Sequence, residues 1–214
     1  DHRIGYIYIL LASLQFALMA MFVFMAHQTD QALPSLTTSF VRVCINLLVV
    51  VMFSCYRSSP RLLWGDGRRS LWWRGIFGAA SLILSFAGIQ AIGIADSSFL
   101  HCTNVIFIAA LSPLILGQSN QRSIWIAVLI GLSGMYLLLQ PRFEDLHSWG
   151  RLLSLGAGVG SAMAYLMVAR AGRSNPAHTV IFYFCFIAML MHLLLFSFVG
   201  VYWPKETKVW GFMI

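Results

Sequence analysis

Charged residues are scarce in this sequence. Asp, Glu, Lys and Arg make up 10% of its 214 residues, where a soluble domain has about a quarter. Hydrophobic residues make up 59% of the chain, and the mean hydropathy is +0.80. This composition excludes an ordinary soluble globular domain and predicts an integral membrane protein in a lipid bilayer.

Acidic residues are the scarcest of the charged types. The chain has 7 Asp and Glu against 14 Lys and Arg, a net charge of +7. A basic balance can indicate nucleic-acid binding, but these arginines lie in short loops between apolar segments, where they set membrane topology. We therefore expect no nucleic-acid partner. Paired carboxylates for acid–base catalysis are also lacking.

Cysteine is present but has no informative spacing. The 4 cysteines lie in apolar segments without a CxxC or Cys/His pattern, which argues against a disulfide framework and a zinc site. We expect no metal and no cofactor. The first apolar segment, Ile4–Ala26, is too long for a signal-peptide core and lacks a cleavage site, so it is predicted to span the membrane.

Long apolar runs dominate the rest of the chain. Each is long enough to cross about 30 Å of hydrocarbon as a helix. The predicted spans are Ile4–Ala26, Leu36–Tyr56, Gly75–Ala95, Ser97–Gln121, Ser123–Gln140, Leu152–Ala169 and His178–Trp203. The third and fourth should form a tight antiparallel hairpin, with Asp96 capping the fourth together with Ser97. The predicted fold class is an all-α membrane bundle of seven spans.

Basic residues predict the orientation of these spans. With a cytoplasmic N-terminus, the inner loops collect nine arginines, including Arg74, and the outer loops keep four Lys and Arg. By the positive-inside rule this favours the N-terminus in the cytoplasm.

A weak internal repeat relates the first span to the sixth. Gly5, Ala12 and Ala17 fall at the same offset as Gly150, Ala157 and Ala162, and further along Pro34 and Phe40 align with Pro176 and Phe182. The two segments are five spans apart, so repeated units would insert in opposite orientations. We predict a first unit over residues 4–141 and part of a second over residues 149–214.

Several short motifs follow one another in an informative order. They are Arg42, Trp72-Trp73-Arg74-Gly75-Ile76-Phe77-Gly78, Ala95-Asp96-Ser97-Ser98, Ala110-Leu111-Ser112-Pro113-Leu114, and Gly131-Leu132-Ser133-Gly134 followed by Leu139-Gln140-Pro141. Together they resemble the EamA-type branch of the drug/metabolite transporter superfamily. The sequence departs from that family at Gln118, where Glu is common, and at Asn104, where Pro is common.

The resemblance implies a fold and a function. Members of the family resemble ten-helix carriers built of inverted five-helix repeats, with both termini in the cytoplasm, that move amino acids, other metabolites or drugs by alternating access. By this comparison the chain looks incomplete, and its partner would be a second copy in a homodimer or a missing second half. The resemblance leaves coupling to protons open, and it implies a bacterial inner membrane or plasma membrane.

Arg42 and Asn46 are the first candidates for a binding site. Arg42 lies about 9 Å below the end of its helix at 1.5 Å per residue, and Asn46 follows one turn later on the same face. The pair could recognise an anionic or polar group. The alternative is an arginine that extends its charge to the membrane surface and serves topology.

Each helix of the predicted hairpin carries further polar residues that share one face of that helix. Ser97, His101 and Asn104 share one helix face, and Ser81 and Ser85 share another. They could line a substrate path, and His101 could exchange protons near neutral pH. The alternative is hydrogen bonding and close packing between helices.

Polar residues of the first and sixth spans complete the candidate site. Ser161 and Tyr165 lie one turn apart, and Gln15 holds the matching place in the first span. The predicted substrate-binding residues are Gln15, Arg42, Asn46, Ser81, Ser85, His101, Asn104, Ser161 and Tyr165.

The sequence thus favours a carrier of small organic solutes. A membrane-embedded transferase is a second hypothesis, which would need a catalytic constellation. A channel or non-transporting membrane subunit is a third, although charge rings and a filter-like segment are lacking.

Overall fold

A computed structural model of the chain describes residues 33–57, 63–117, 119, 121–141, 149–204 and 207–213, with scattered positions between 7 and 30. Most of the first predicted span, Ile4–Ala26, lies outside the described residues. The described ranges are helical and contain no strand, so the predicted all-α fold class is confirmed.

Eight helices have both ends among the described residues. They are α1 (Ser35–Arg57), α2 (Arg69–Ile92), α3 (Ile94–Cys102), α4 (Asn104–Leu116), α5 (Arg122–Leu139), α6 (Trp149–Ala171), α7 (Ala177–Val199) and α8 (Thr207–Met213).

Among the described residues, six stretches are long and apolar enough to cross a membrane. They are Leu36–Tyr56, Arg69–Ile89, Ile94–Leu116, Arg122–Leu139, Trp149–Ala171 and Ala177–Val199. They correspond to the second through seventh predicted spans. Several boundaries differ from the prediction by one to six residues. The last span ends at Val199, because Gly200 adopts φ +81°, and α2 begins at Arg69, so Arg74 lies inside a helix and not in a loop.

A single glycine makes the turn of the predicted hairpin. Gly93 has φ +82°, and its N–H donates to the carbonyl of Ile89 at 2.9 Å. Glycine takes this conformation without the strain that a Cβ would cause. The prediction that Asp96 caps the next helix is therefore wrong. Asp96 lies in the first turn of α3, where the positive end of the helix dipole stabilises a negative side chain.

The fourth predicted span is interrupted in its middle. Thr103 separates α3 from α4, and its hydroxyl donates to the carbonyl of Leu100 at 2.6 Å. A threonine that bonds back to its own helix often bends it. The interruption lies against Gly158 of α6, where an added Cβ would be 3.1 Å from Thr103 Oγ1 and 3.2 Å from the His101 carbonyl.

Helices α2 and α6 form the centre of the bundle and have the most extensive contact of any pair. The buried face of α6 consists mostly of small residues, among them Ala157, Ala162 and Ala164. Small residues let two helix backbones approach closely, which is how membrane helices associate without a hydrophobic driving force. Ser154 of α6 donates to the carbonyl of Gly150 at 2.9 Å, and its oxygen lies 2.9 Å from the Ser97 hydroxyl.

Helix α7 packs across α2 and α1 on the other side of this centre. Its buried residues Tyr183, Cys185, Ile187 and Ala188 meet Leu71 and Ala79 of α2 in the main apolar cluster. Of the other described helices, α5 contacts only α3 and α4 to any extent, and no residue of α5 is buried. The polar residues discussed below lie at the junction of α2, α3, α4, α6 and α7.

Candidate functional site

A polar cavity of about 170 Å³ lies within the bundle. Helices α2, α3, α6 and α7 supply its walls. The lining residues are Arg74, Gly78, Ser81, Leu82, Ser85, His101, Ser161, Ala164, Tyr165 and Phe184. Five of the nine predicted site residues are therefore brought together: Ser81, Ser85, His101, Ser161 and Tyr165.

One face of α2 forms the longest wall. Arg74, Gly78, Ser81 and Ser85 recur at helical spacing, so they lie above one another along the helix. Ser81 is buried, and its hydroxyl donates to the carbonyl of Ala157 on α6 at 2.7 Å. The interpretation as helix–helix hydrogen bonding therefore holds for Ser81, while its side chain also borders the cavity.

Arg74 is the one charged side chain among the described residues of the lining. Its guanidinium carbon lies 4.5 Å from the centre of the Phe184 ring, a cation–π arrangement. Gly78 leaves room for it, since a Cβ there would collide with Arg74 Nη1. Arg74 Nε is buried and has no hydrogen-bond partner among the described residues. An arginine costs about 2.5–3.5 kcal/mol at the bilayer centre on insertion scales, and less nearer the surface.

The opposite wall is formed around the interrupted span. Asn104, the first residue of α4, donates its side-chain N–H to Ser161 Oγ of α6 at 3.2 Å. This bond joins α4 to α6 directly beside the cavity. His101 is half-buried, and its Nε2 has no partner among the described residues. His101 also lines the cavity, and an imidazole ring can both donate and accept hydrogen bonds.

The remaining predicted site residues lie elsewhere. Arg42 is half-buried on α1 and is not part of the lining, and Asn46 is exposed on the same helix. Gln15 is exposed within the first predicted span, most of whose residues are not described. Tyr165 borders the cavity but keeps 56% of its surface exposed.

A second and larger cavity of about 440 Å³ lies between α1, α2 and α7. Its walls are chiefly aliphatic and aromatic side chains such as Ile83, Phe86 and Phe196. The Thr37 hydroxyl in its wall already donates to the Tyr202 carbonyl at 3.0 Å. The smaller polar cavity therefore offers more specific recognition of a ligand.

The cavity lining is unsuited to metal binding. Within the described ranges, no group of three or more His, Cys, Asp or Glu is close enough to hold a metal ion. Arginine, serine and tyrosine side chains suit the binding of a polar organic solute by charge and hydrogen bonds.

The sequence prediction missed Arg74 as a lining residue because it assigned this arginine to a loop with the topology-setting cluster. A signal was present, however. Arg74 precedes Ser81 by seven residues and Ser85 by eleven, which places it on the same helix face as both serines once the helix begins at Arg69.

Comparison with known proteins places these observations in context. Residues 3–140 match the model of the EamA-like transporter family. The pseudopaline exporter CntI of Pseudomonas aeruginosa is 26% identical over 211 residues, which cover 98% of this chain and 72% of the exporter. An uncharacterized transporter of Helicobacter pylori is 26% identical over 94% of this chain and 70% of its own length.

More distant similarities extend to an animal protein and to a solved structure. Mouse solute carrier family 35 member G1 is 21% identical, over 92% of this chain and 56% of the mouse protein. One crystal structure has the same fold with a TM-score of 0.74 at 16% identity, covering 92% of this chain and 70% of the other.

Proposed function

The chain belongs to the EamA-like transporter family and is a multi-pass membrane transporter of small metabolites, and we propose that it works by alternating access around the polar cavity. The observation that carries this proposal is the place of that cavity. It lies between helices of the first predicted unit and helices of the second, with Ser81 and Ser85 on one side and Ser161 and Tyr165 on the other. Inverted-repeat carriers bind their solute at such a junction.

We propose the predicted division into two units as the mechanical basis of transport. The first unit covers residues 4–141, and the second begins at 149 and continues to 214. The family match ends at residue 140, which supports this division. Rocking of one unit against the other would open the cavity to each side of the membrane in turn.

The site then consists of residues with two roles. Ser85, His101 and Tyr165 supply polar groups to the solute, while Ser81, Asn104 and Ser161 also hold the surrounding helices by hydrogen bonds. Arg42, Asn46 and Gln15 are proposed to contribute in a conformation that brings α1 and the first span closer to the cavity.

The membrane, the orientation of the chain in it, its assembly and its ion coupling are proposed on separate grounds. With Arg74 removed from the loop cluster, eight arginines remain in the predicted inner loops against four Lys and Arg in the outer loops. This supports a cytoplasmic N-terminus in a bacterial inner membrane or plasma membrane. A homodimer, or association with a second half, would complete the carrier. Coupling to protons is also proposed, because His101 borders the cavity.

We propose that the chain catalyses no reaction. Its named relatives are transporters, and a transferase would need an acid–base pair or a nucleophile beside a base. Asp96, the acid nearest to the cavity along the chain, lies at the start of α3 and is not in the lining.

The test is a transport screen with the purified chain in lipid vesicles. Radiolabelled amino acids, organic acids and nucleosides are measured for uptake and for efflux, with and without a pH gradient, because the Pseudomonas relative is named as an exporter. We expect at least one solute to move faster than through empty vesicles, and Ser161→Trp, which fills the cavity, to abolish the difference. Equal rates for the chain and for empty vesicles with every solute would contradict the proposal.

A further inference from the structure

The guanidinium of Arg74 is positioned like a ligand-binding group. It is held on one side by the Phe184 ring, with its carbon 4.5 Å from the ring centre, and on another by the surface of α2 that Gly78 leaves open. Its Nε nitrogen is buried without a hydrogen-bond partner in the described part of the chain. A side chain that only extended to the membrane surface would instead place its donors in water or among lipid headgroups.

No acid among the described lining residues balances the charge of this arginine. The ten described residues around the cavity include no Asp or Glu, and the ion pair found in the described part of the chain joins Arg68 to Asp66 in the loop before α2. A buried cation of this kind is stabilised by an anion, and a carboxylate or phosphate matches the planar donors of arginine in two parallel hydrogen bonds.

Other polar side chains of the cavity also favour a ligand rich in hydrogen-bond acceptors. Ser85, His101 and Tyr165 line the cavity, and their side chains carry hydroxyl groups or an imidazole ring; His101 Nε2 also has no partner among the described residues. Acceptor-rich ligands suit such a lining, whereas a cationic amine would be repelled by Arg74.

We propose that this cavity binds the anionic group of a small organic solute, with Arg74 as the residue that recognises the negative charge. The inference rests on the proposed function only in calling the anion a transported solute. It names the chemical class of that solute as an organic acid, or an ester of phosphate. A negatively charged lipid headgroup has the same chemistry, and the experiment separates the two.

The experiment compares acids with their uncharged amides. The purified chain is placed in nanodiscs of phosphatidylcholine, and its thermal midpoint is measured with lactate against lactamide, succinate against succinamide and benzoate against benzamide. We expect at least one acid to stabilise the protein and its amide to have no effect. Amides that stabilise as well as their acids would overturn the proposal.

Variants test whether Arg74 is the recognising group. Arg74→Gln should weaken binding of the stabilising acid by about tenfold or more, and Arg74→Lys by less, because lysine keeps the charge but not the planar pair of donors. Gly78→Ala should also weaken it, since the new methyl group displaces the guanidinium. Arg69→Gln, an exposed cation at the start of the same helix, should bind like the unaltered chain. Equal affinity in Arg74→Gln and Arg69→Gln would refute the role of Arg74.

Two further arms separate the alternatives. If nanodiscs containing phosphatidic acid stabilise the chain through Arg74 while soluble acids do not, the anion is a lipid headgroup and the solute assignment is wrong. If neutral solutes are transported but acids neither bind nor cross the membrane, the carrier proposal stands and the anion site falls. If acids bind through Arg74 but no solute crosses the membrane, the site stands and the carrier proposal falls.

Discussion

Asp66 and Asn175 are joined by two hydrogen bonds. The Asp66 N–H donates to Asn175 Oδ1 at 3.0 Å, and Asn175 Nδ2 donates to Asp66 Oδ1 at 2.9 Å. The Ser174 hydroxyl donates to the other carboxylate oxygen at 2.9 Å, and Arg68 Nε lies 2.9 Å from the same oxygen. Asp66 precedes α2 and Asn175 follows α6. This cluster therefore joins the start of α2 to the end of α6, outside the predicted membrane core.

The Asp66 carboxylate makes the stability of this connection dependent on pH. Desolvation favours the uncharged form, but the hydrogen bonds from Asn175, Arg68 and Ser174 and the charge of Arg68 outweigh it and lower the pKa of Asp66. A lowered pKa in the fold means that the stabilisation is present above the unfolded pKa, about 3.9 for Asp, and is lost as the pH falls through the folded value. Asp66→Asn should therefore lower the thermal midpoint at pH 7, with a difference that shrinks below pH about 4.

The control for this measurement is Arg69→Gln, which removes an exposed charge from the start of the same helix. It should shift the midpoint little at any pH. A difference between Asp66→Asn and the unaltered chain that stays constant from pH 7 to pH 3 would contradict the assignment.

The close approach of α2 and α6 predicts the effect of a single methyl group. A Cβ at Gly88 would collide with Ser154 Oγ and would lie 3.0 Å from Ser97 Oγ. Gly88→Ala should therefore destabilise the protein by about 1–3 kcal/mol, as overpacking does. Thermal or denaturant unfolding in detergent measures the change.

Gly131 of α5 is the matched control, because a Cβ there would meet nothing within 4 Å. Gly131→Ala should leave stability unchanged or raise it by about 0.5–1 kcal/mol, since alanine favours a helix. If both substitutions have equal effects, the tight contact at Gly88 is absent.

A buried pair joins α1 to α7. His192 Nδ1 lies 2.7 Å from the Ala188 carbonyl, which only accepts, so Nδ1 carries the hydrogen. In the neutral ring Nε2 then accepts, and the Ser39 hydroxyl lies 2.7 Å from it. Ser39→Ala would leave this nitrogen buried and unpaired, and should cost about 1–3 kcal/mol of stability.

Ser197 provides the comparison for Ser39. Its hydroxyl donates to the carbonyl three residues earlier at 2.6 Å, as Ser39 also can, but the bond is exposed. Ser197→Ala should change the unfolding midpoint little. A loss for Ser197→Ala as large as that for Ser39→Ala would show that the pairing with His192 is unimportant.

The bond from Asn104 to Ser161 allows a double-mutant cycle beside the cavity. Asn104→Ala, Ser161→Ala and the double variant should show a coupling energy of about 0.6 kcal/mol, the average for such bonds between membrane helices. Additive effects on the unfolding free energy would mean that the two side chains do not interact.

The accuracy of the structure prediction from sequence depended on how many neighbouring residues determine each feature. Hydrophobic runs report burial in lipid along one segment, and they located the helices to within a few residues. Helix ends depend on local backbone conformation, so the turn at Gly93 and the start of α2 at Arg69 were misplaced. That error moved Arg74 from a helix into a loop.

The site was predicted only in part for a related reason. Periodicity identified the face of α2 that carries Ser81 and Ser85, because residues on one helix face recur at fixed spacing. Which helix faces meet across the bundle depends on how several helices pack together. The sequence of one helix alone does not determine this. In the structure Ser161 lines the cavity and Asn104 is bonded to it, whereas Arg42 and Asn46 do not border the cavity. A role of these four residues in binding a solute stays a prediction.

The most direct test of alternating access is the accessibility of Ser85 from the two sides of the membrane. In a chain whose native cysteines are replaced, Ser85→Cys is exposed to membrane-impermeant thiol reagents added to either face of oriented vesicles. Leu114→Cys, whose parent side chain is 80% exposed on α4 and expected to face lipid, is the control. The account predicts that Ser85→Cys reacts from both sides and Leu114→Cys from neither; reaction of Ser85→Cys from one side only, or from neither, would contradict it.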